Sequence, residues 1–487
     1  MFIPSKIFFA SLLLSAALAG CGGSSTIDSP SAAGSVVDSV PVATGDPSGT
    51  GVSRQSAFAN LNLIGQSTPA TQVRVVHFDL DPVFSDSDDA AQVLSNIGQM
   101  ANRVRALYRP GMDLVIYLSA FSNATATQKA YDKLFFPSVH LGERGGNLRF
   151  NDAELPKGEL FARAARAIKQ AAPGVKVYAW MPMMNYKLDP KSPSYQDSLT
   201  SYIQSDLPSE QNDTTQYKRL SPFVGIVWDV VAQIYSDLGS SAGKYIDGIV
   251  FHDDGIMTDH EDSSATAQAF LQSYDWSTLV PGDTRGWDQL TAKDRAIRKA
   301  RYLDQYSLYM VEETQWAMHD KFGIDKKLGT ARHVYSSAFT NPDSVQWLSQ
   351  EPASMLQDYD YVLIEAYPYM EERGDVQKAE ASANFCELKS VAGCVAFPVA
   401  PYYDALYSAV ARQAHGREKV VFVMQTVDWN TGTGAVTDLS SDMIGNQMRA
   451  LYQKGAVHFG WYPDRYFSSD AHPTIAGDFK NMLVLRH

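Results

Sequence analysis

The chain has 487 residues, is 45% hydrophobic, and carries 41 basic against 54 acidic side chains, a formal charge of −13. That length and apolar content can bury a sizeable core. The acidic balance argues against a general nucleic-acid surface, which needs clustered positive charge, and it suits a cationic partner as well as plain solubility.

Residues 1–20 read as a secretory signal. Lys6 supplies the positive end, and Ile7 to Leu18 is an apolar run too short to span a bilayer. Leu18-Ala19-Gly20-Cys21 is similar to the lipobox of bacterial lipoproteins, so Cys21 is expected to carry lipid. Gly22, where an aspartate would retain the protein at the inner membrane, implies the outer membrane, with the folded part facing the periplasm or the cell surface. Residues 21–55 are rich in Gly, Ser, Ala and Pro and read as a flexible tether. A single folded domain is expected over 56–487.

Within that domain, short apolar runs alternate with helical stretches. The expected strands are Val73 to Phe78, Leu114 to Leu118, Val175 to Met181, Ile246 to Phe251, Leu328 to Arg332, Tyr361 to Tyr367, Lys419 to Gln425 and Ala456 to Trp461. The expected helices are Asp89 to Tyr108, Gly158 to Ala172, Phe223 to Leu238, Ala292 to His319, Ser344 to Ser349, Tyr402 to Gln413, Asp438 to Gln453 and Thr474 to Met482. Eight βα units predict an α/β fold, a single (β/α)8 TIM-type barrel. An open doubly wound sheet is the alternative, but no Gly-rich phosphate turn follows the first strand. The three longest connections, Ser122 to Pro156, Asn185 to Tyr217 and His252 to Lys293, all follow strands and so belong to the catalytic face. Cys386 and Cys394 are expected to pair in an oxidising compartment, with two free thiols as the other reading.

The strand ends carry the chemistry. Strand one ends in His77-Phe-Asp79-Leu-Asp81, strand three in Trp180, and strand four in His252-Asp253-Asp254. Strand six leads to Glu365, Tyr369 and Glu371, strand seven to Gln425 and Trp429, and strand eight to Trp461 and Tyr462. Aromatic rings stack on sugar rings, while carboxylates accept from hydroxyls and amines or move protons. Any one aromatic here could equally be barrel packing. Several of them on different strands, beside paired aspartates, read together as a carbohydrate site. Glycoside hydrolysis needs one protonated carboxyl and a second group that attacks or activates water. Asp253 and Asp254 point to opposite sides of an extended chain, so one can be the acid while the other holds His252 or sugar. Glu371 and Asp79 are the candidates for the second carboxylate. A metal site built on His252, Asp253, Asp254, Asp259 and His260 is a competing reading, but the spacing matches no established ligand pattern.

These motifs resemble glycoside hydrolase family 153, the hydrolase domain of PgaB-type periplasmic lipoproteins. The resemblance spans about Val73 to Phe467. It rests on His77-x-Asp79-Leu-Asp81, on Val177 to Pro182, and on Asp247 to Asp254 with Asp259, Glu261 and Asp262. It also rests on Thr330-Ala-Arg332, Pro368-Tyr369-x-Glu371, Gln425 with Trp429, and Tyr462-Pro-Asp464. It implies a barrel with an electronegative groove that cleaves partially de-N-acetylated poly-β-1,6-N-acetylglucosamine, a cationic polysaccharide. It places the catalytic aspartate at Asp253 or Asp254. It implies sugar contacts at His77, Asp79, Asp81, Trp180, His252, Arg332, Tyr369, Gln425, Trp429 and Tyr462, to which the aromatic strand end adds Trp461; it also implies no cofactor or metal, and contact with exopolysaccharide export machinery. The sequence departs from the resemblance in having Gly255 after the aspartate pair and only the tether before the barrel. No deacetylase activity is therefore expected. A non-catalytic polysaccharide-binding lipoprotein is the alternative from another class.

Overall fold

The computed structural model describes residues 72–84, 89–108, 113–122, 133–184, 186, 220–252, 264–368, 399–428, 437–439 and 441–462. Eight parallel strands close a barrel: β1 (Val73–Phe78), β2 (Asp113–Ser119), β3 (Lys176–Met181), β4 (Gly248–Phe251), β5 (Gly329–Tyr335), β6 (Tyr361–Ala366), β7 (Val420–Gln425) and β8 (Phe459–Tyr462). Each strand pairs with its sequence neighbours, and β8 returns to β1 through Arg74↔Phe459 to Val76↔Trp461. The barrel is the (β/α)8 fold that the alternation of strands and helices predicts.

Among the described residues eight helices have seven residues or more; one, Ala265–Ser273, lies in the connection after β4, and the other seven serve the βα rhythm directly. They are α1 (Ala90–Leu107), α2 (Leu160–Ala171), α3 (Gly225–Ala242), α4 (Ala292–Phe322), α5 (Pro352–Asp358), α6 (Val399–Ala411) and α7 (Ser441–Lys454). The expected helix over Thr474 to Met482 lies outside the described residues. Their boundaries follow from local chemistry. Asp89 caps α1 by accepting from Ala91 N at 2.9 Å. Val93, Ile97, Met100, Ala101 and Val104 then recur on one helix face and are all buried. Thr291 and Asp294 cap the start of α4 reciprocally, and Gly323, at φ 67°, ends it.

Strand alternation divides the core in two. Val73, Val75, Val115, Tyr117, Tyr178, Trp180, Val250, Ala331, Tyr361, Leu363, Tyr367, Val421 and Val423 fill the barrel interior. Their alternating neighbours, such as Val76, Ile116, Val177, Ile249, Val362 and Phe422, pack against the helices. The interior is tight at Gly248, where a Cβ would lie 2.5 Å from Gly329 O and 2.6 Å from the Tyr178 ring. The sequence reading starts β4 at Ile246, but ladder pairing begins at Gly248. Asp247 instead turns its side chain to Val177 N (2.8 Å) and Lys326 (2.6 Å), tying the base of the strand down.

Within the long connection after β2, a small three-stranded sheet joins Phe121–Ser122, Lys133–Leu134 and Gly142–Glu143. It is invisible to a period count because each strand has only two residues. It nevertheless carries Ser122 and Arg144 to the end of β1, where both meet Asp81.

Candidate active site

The C-terminal ends of the strands converge on a cluster of rings. Trp180, from β3, stacks on His252, which directly follows β4, with centroids 4.4 Å apart and planes at 23°. His77 from β1 and Trp180 meet in a T-shaped contact, at 4.3 Å and 77°. Tyr462 from β8 closes on both, 5.0 Å from His77 and 5.6 Å from Trp180. Phe121 flanks His252 at 6.0 Å. His252 is set by its own backbone, whose N–H donates to Met181 O at 2.9 Å and continues the β3–β4 ladder past the last paired residues. Trp180 is 6% exposed, and its indole N–H has no hydrogen-bond partner among the described residues. A buried indole donor normally finds an acceptor.

Beside the rings lies a carboxylate pair. Asp79 Oδ1 accepts from Ser119 Oγ and from Asp81 N, each at 2.9 Å. Ser119 also accepts from Leu80 N at 2.9 Å, so β2 holds the turn that follows β1. Asp81 accepts from Ser122 Oγ at 2.9 Å and pairs with Arg144 Nε at 3.0 Å. Burial, and then the neighbouring Asp81 charge, pushes the Asp79 carboxyl up to about 6. Burial also raises Asp81, against the opposing pull of Arg144 and Ser122. Burial raises both carboxyls, with Asp81 pushing Asp79 further up while Arg144 pulls Asp81 back.

The structure therefore brings together His77, Asp79, Asp81, Trp180, His252 and Tyr462. Gln425 ends β7 opposite Tyr462 and donates from Nε2 to Val427 O at 2.6 Å. Two expected sugar contacts are placed elsewhere. Arg332 is fully buried on the helix-facing side of β5, pairing with Asp304 of α4 and donating to Ser349 O at 3.1 Å. Trp461 is fully buried in the layer between strands and helices, in register with Val76. Both departures have the same cause: alternation along a strand sends adjacent side chains to opposite faces. Asp253, Asp254, Tyr369, Glu371 and Trp429, together with Cys21, Cys386 and Cys394, lie outside the described residues.

Sequence reasoning missed His333 and passed over Glu365 and Tyr367 within a quoted strand end. His333 shares the interior face of β5 with Ala331, and Glu365 and Tyr367 follow Tyr361 and Leu363 on that of β6. His333 Nδ1 lies 3.4 Å from Glu365 Oε1, and both side chains are sealed. The signal was the two-residue period itself, which puts an ionisable group where a barrel normally continues with Val, Ile or Leu.

A family profile described as GHL13, hypothetical glycosyl hydrolase family 13, matches residues 77–388 and 397–462. The glycoside hydrolase domain of PgaB (BpsB) from Bordetella bronchiseptica superimposes with a TM-score of 0.62 and 27% identity. That match covers 85% of this chain and 99% of the domain. The poly-β-1,6-N-acetyl-D-glucosamine N-deacetylase of Escherichia coli (strain K12) is 26% identical over 396 residues, covering 81% of this chain. The protein of the same description from Escherichia coli O157:H7 matches equally. This chain spans about half, 50%, of the length of those two relatives. With the family match extending over most of the barrel and both ends of its site, the chain belongs to hypothetical glycosyl hydrolase family 13 and is a glycosidase.

Proposed function

We propose that this glycosidase cleaves partially de-N-acetylated poly-β-1,6-N-acetyl-D-glucosamine within the polymer, by carboxylate acid/base catalysis. The observation that carries the reading is the wall of Trp180, His252, His77 and Tyr462 beside a carboxylate raised to about 6. Ring faces take the apolar face of a sugar, and the free indole N–H takes one of its oxygens. The names of the matched relatives supply the polymer: one is a hydrolase domain and the other acts on poly-β-1,6-N-acetyl-D-glucosamine.

In this reading Asp253 or Asp254 protonates the leaving glycosidic oxygen. The second carboxylate, Asp79 or Glu371, stabilises the developing positive charge at the anomeric carbon or takes a proton from water. Asp79 is mostly ionised at neutral pH, as that role requires, and Ser119 and the Asp81 N–H hold it in one orientation.

The test is mass-spectrometric product analysis on polymers of defined acetylation. Shorter oligomers are expected from glucosamine-bearing polymer, with Asp253→Asn or Asp254→Asn abolishing them while the fold survives. Intact polymer with the parent protein would leave a binding role in place of a hydrolytic one. Full activity in both variants would place the acid elsewhere.

The location belongs to the same proposal. Cys21 carries the lipid, residues 21–55 tether the barrel to the outer membrane, and Cys386 pairs with Cys394. The polysaccharide is the partner, and export machinery is a second one. Cys21→Ser should move the protein from the membrane fraction to the soluble fraction; unchanged partitioning would exclude the anchor.

A further inference from the structure

The barrel interior changes character along its axis. Toward the N-terminal ends it is filled by Val73, Val75, Val115, Val421 and Leu363. Toward the other end the same faces carry His77, Trp180, His333, Glu365 and Tyr462. His333 and Glu365 are the costly members of that set. They are 0% and 1% exposed with Nδ1 3.4 Å from Oε1, and removing such groups from water is expensive even when they pair. Closing the barrel does not call for them, since the strands are already joined by their backbone ladders. What they touch is the candidate site. The His333 ring lies 5.6 Å from Tyr462 and 6.4 Å from each of Tyr117 and Tyr367. Tyr367 and Tyr462 stand nearly parallel, 6.4 Å apart at 10°, and Tyr462 is the ring that reaches His77 and Trp180.

We infer that His333 and Glu365 are positioning residues for sugar binding: the carboxylate orients the imidazole, and the imidazole sets Tyr462 and Tyr367 at the angle that an amino-sugar ring requires. The inference rests on the reading that this mouth takes amino sugars. The pair is sealed, so it acts through the two tyrosines and never meets the substrate.

A structural role and a positioning role predict opposite outcomes when the pair is replaced by apolar side chains. The double variant His333→Leu/Glu365→Met fills the same space without buried polar atoms. A buried polar pair replaced together by apolar groups of similar shape commonly leaves stability unchanged or raised. The expected result is a melting temperature at or above that of the parent, with about tenfold weaker binding of glucosamine oligomers by calorimetry, the fall in kcat/KM lying in KM. A melting temperature lowered with binding unchanged, or a variant that fails to fold, would assign the pair to the barrel and overturn the inference. His333→Gln, which keeps a polar group beside the carboxylate, should bind oligomers within about threefold of the parent, and His333→Phe, which keeps a ring but no polar atom, should not. Equal binding by these two single variants would also overturn it. Because calorimetry reads binding directly, a parent protein that binds but does not cleave would sink the hydrolase reading and leave this test intact.

Discussion

At the residue scale, the site turns on how differently two aspartates two positions apart are treated. Asp81 has Arg144 at 3.0 Å, while Asp79 accepts from the Ser119 hydroxyl and from the Asp81 N–H. A carboxyl raised to about 6 gives a definite pH dependence. If ionised Asp79 is the working form, kcat/KM falls as pH drops through about 6, and Asp79→Asn removes that limb while lowering the plateau at least about 100-fold. An unchanged acidic limb in the variant would take Asp79 out of catalysis. The stability effect has its own sign. Between 3.8 and about 6 the folded chain keeps a proton here that the unfolded chain has lost. This group's contribution to stability therefore declines as pH rises through that window. Asp79→Asn should gain on the parent by on the order of 2 kcal/mol between pH 4 and pH 7 in urea unfolding. The sequence put Asp79 at the right end of the right strand. It did not reveal the raised pKa, because the largest cause is burial, which depends on distant segments closing around the end of β1.

At the element scale, β5 and α4 show why one motif residue misled. Arg332 sits inside a motif quoted for the family resemblance, which made it look like a sugar contact. Its neighbours alternate: Ala331 and His333 face the interior, so Arg332 faces α4. There Asp304 takes Arg332, Ser354 Oγ and Tyr359 OH (the last at 3.1 Å), tying β5, α4 and α5 together. Arg332→Met strands a buried carboxylate and should cost about 3–5 kcal/mol. Arg332→Met/Asp304→Leu should recover most of that loss. Turnover per folded molecule should stay near the parent value in both, measured after correcting for the folded fraction. A selective loss of turnover with stability intact would return Arg332 to the site. Most of the strands were legible because they are near-continuous apolar runs, as parallel strands covered on both sides tend to be; β5, with Thr330, Arg332 and His333, is the most polar exception. Their ends were read to within a few residues. The two-residue strands that bring in Ser122 and Arg144 had no period to read. Helix α5 was missed because its seven residues follow closely on another short helix.

At the scale of the whole molecule, the question is whether the excess of 54 acidic over 41 basic side chains selects the substrate or only keeps the chain in solution. The two roles separate under salt. Free glucosamine carries an ammonium group, whereas the acetylated sugar is neutral. An acidic protein therefore attracts the first through a long-range field and the second only through contacts at the mouth of the barrel. Salt shortens that field from about 14 Å at roughly 0.05 M to about 4 Å at roughly 0.5 M, and leaves ring stacking and buried hydrogen bonds nearly untouched. Over that interval, kcat/KM on partly deacetylated polymer should fall at least about tenfold, while binding of a fully acetylated oligomer should change less than about twofold. The loss should lie in KM, because the field gathers substrate and does not alter the transition state once the sugar is bound. Equal salt sensitivity for both polymers would mean that the acidic balance serves solubility, and that recognition of the amino sugar is confined to the rings and carboxylates at the strand ends.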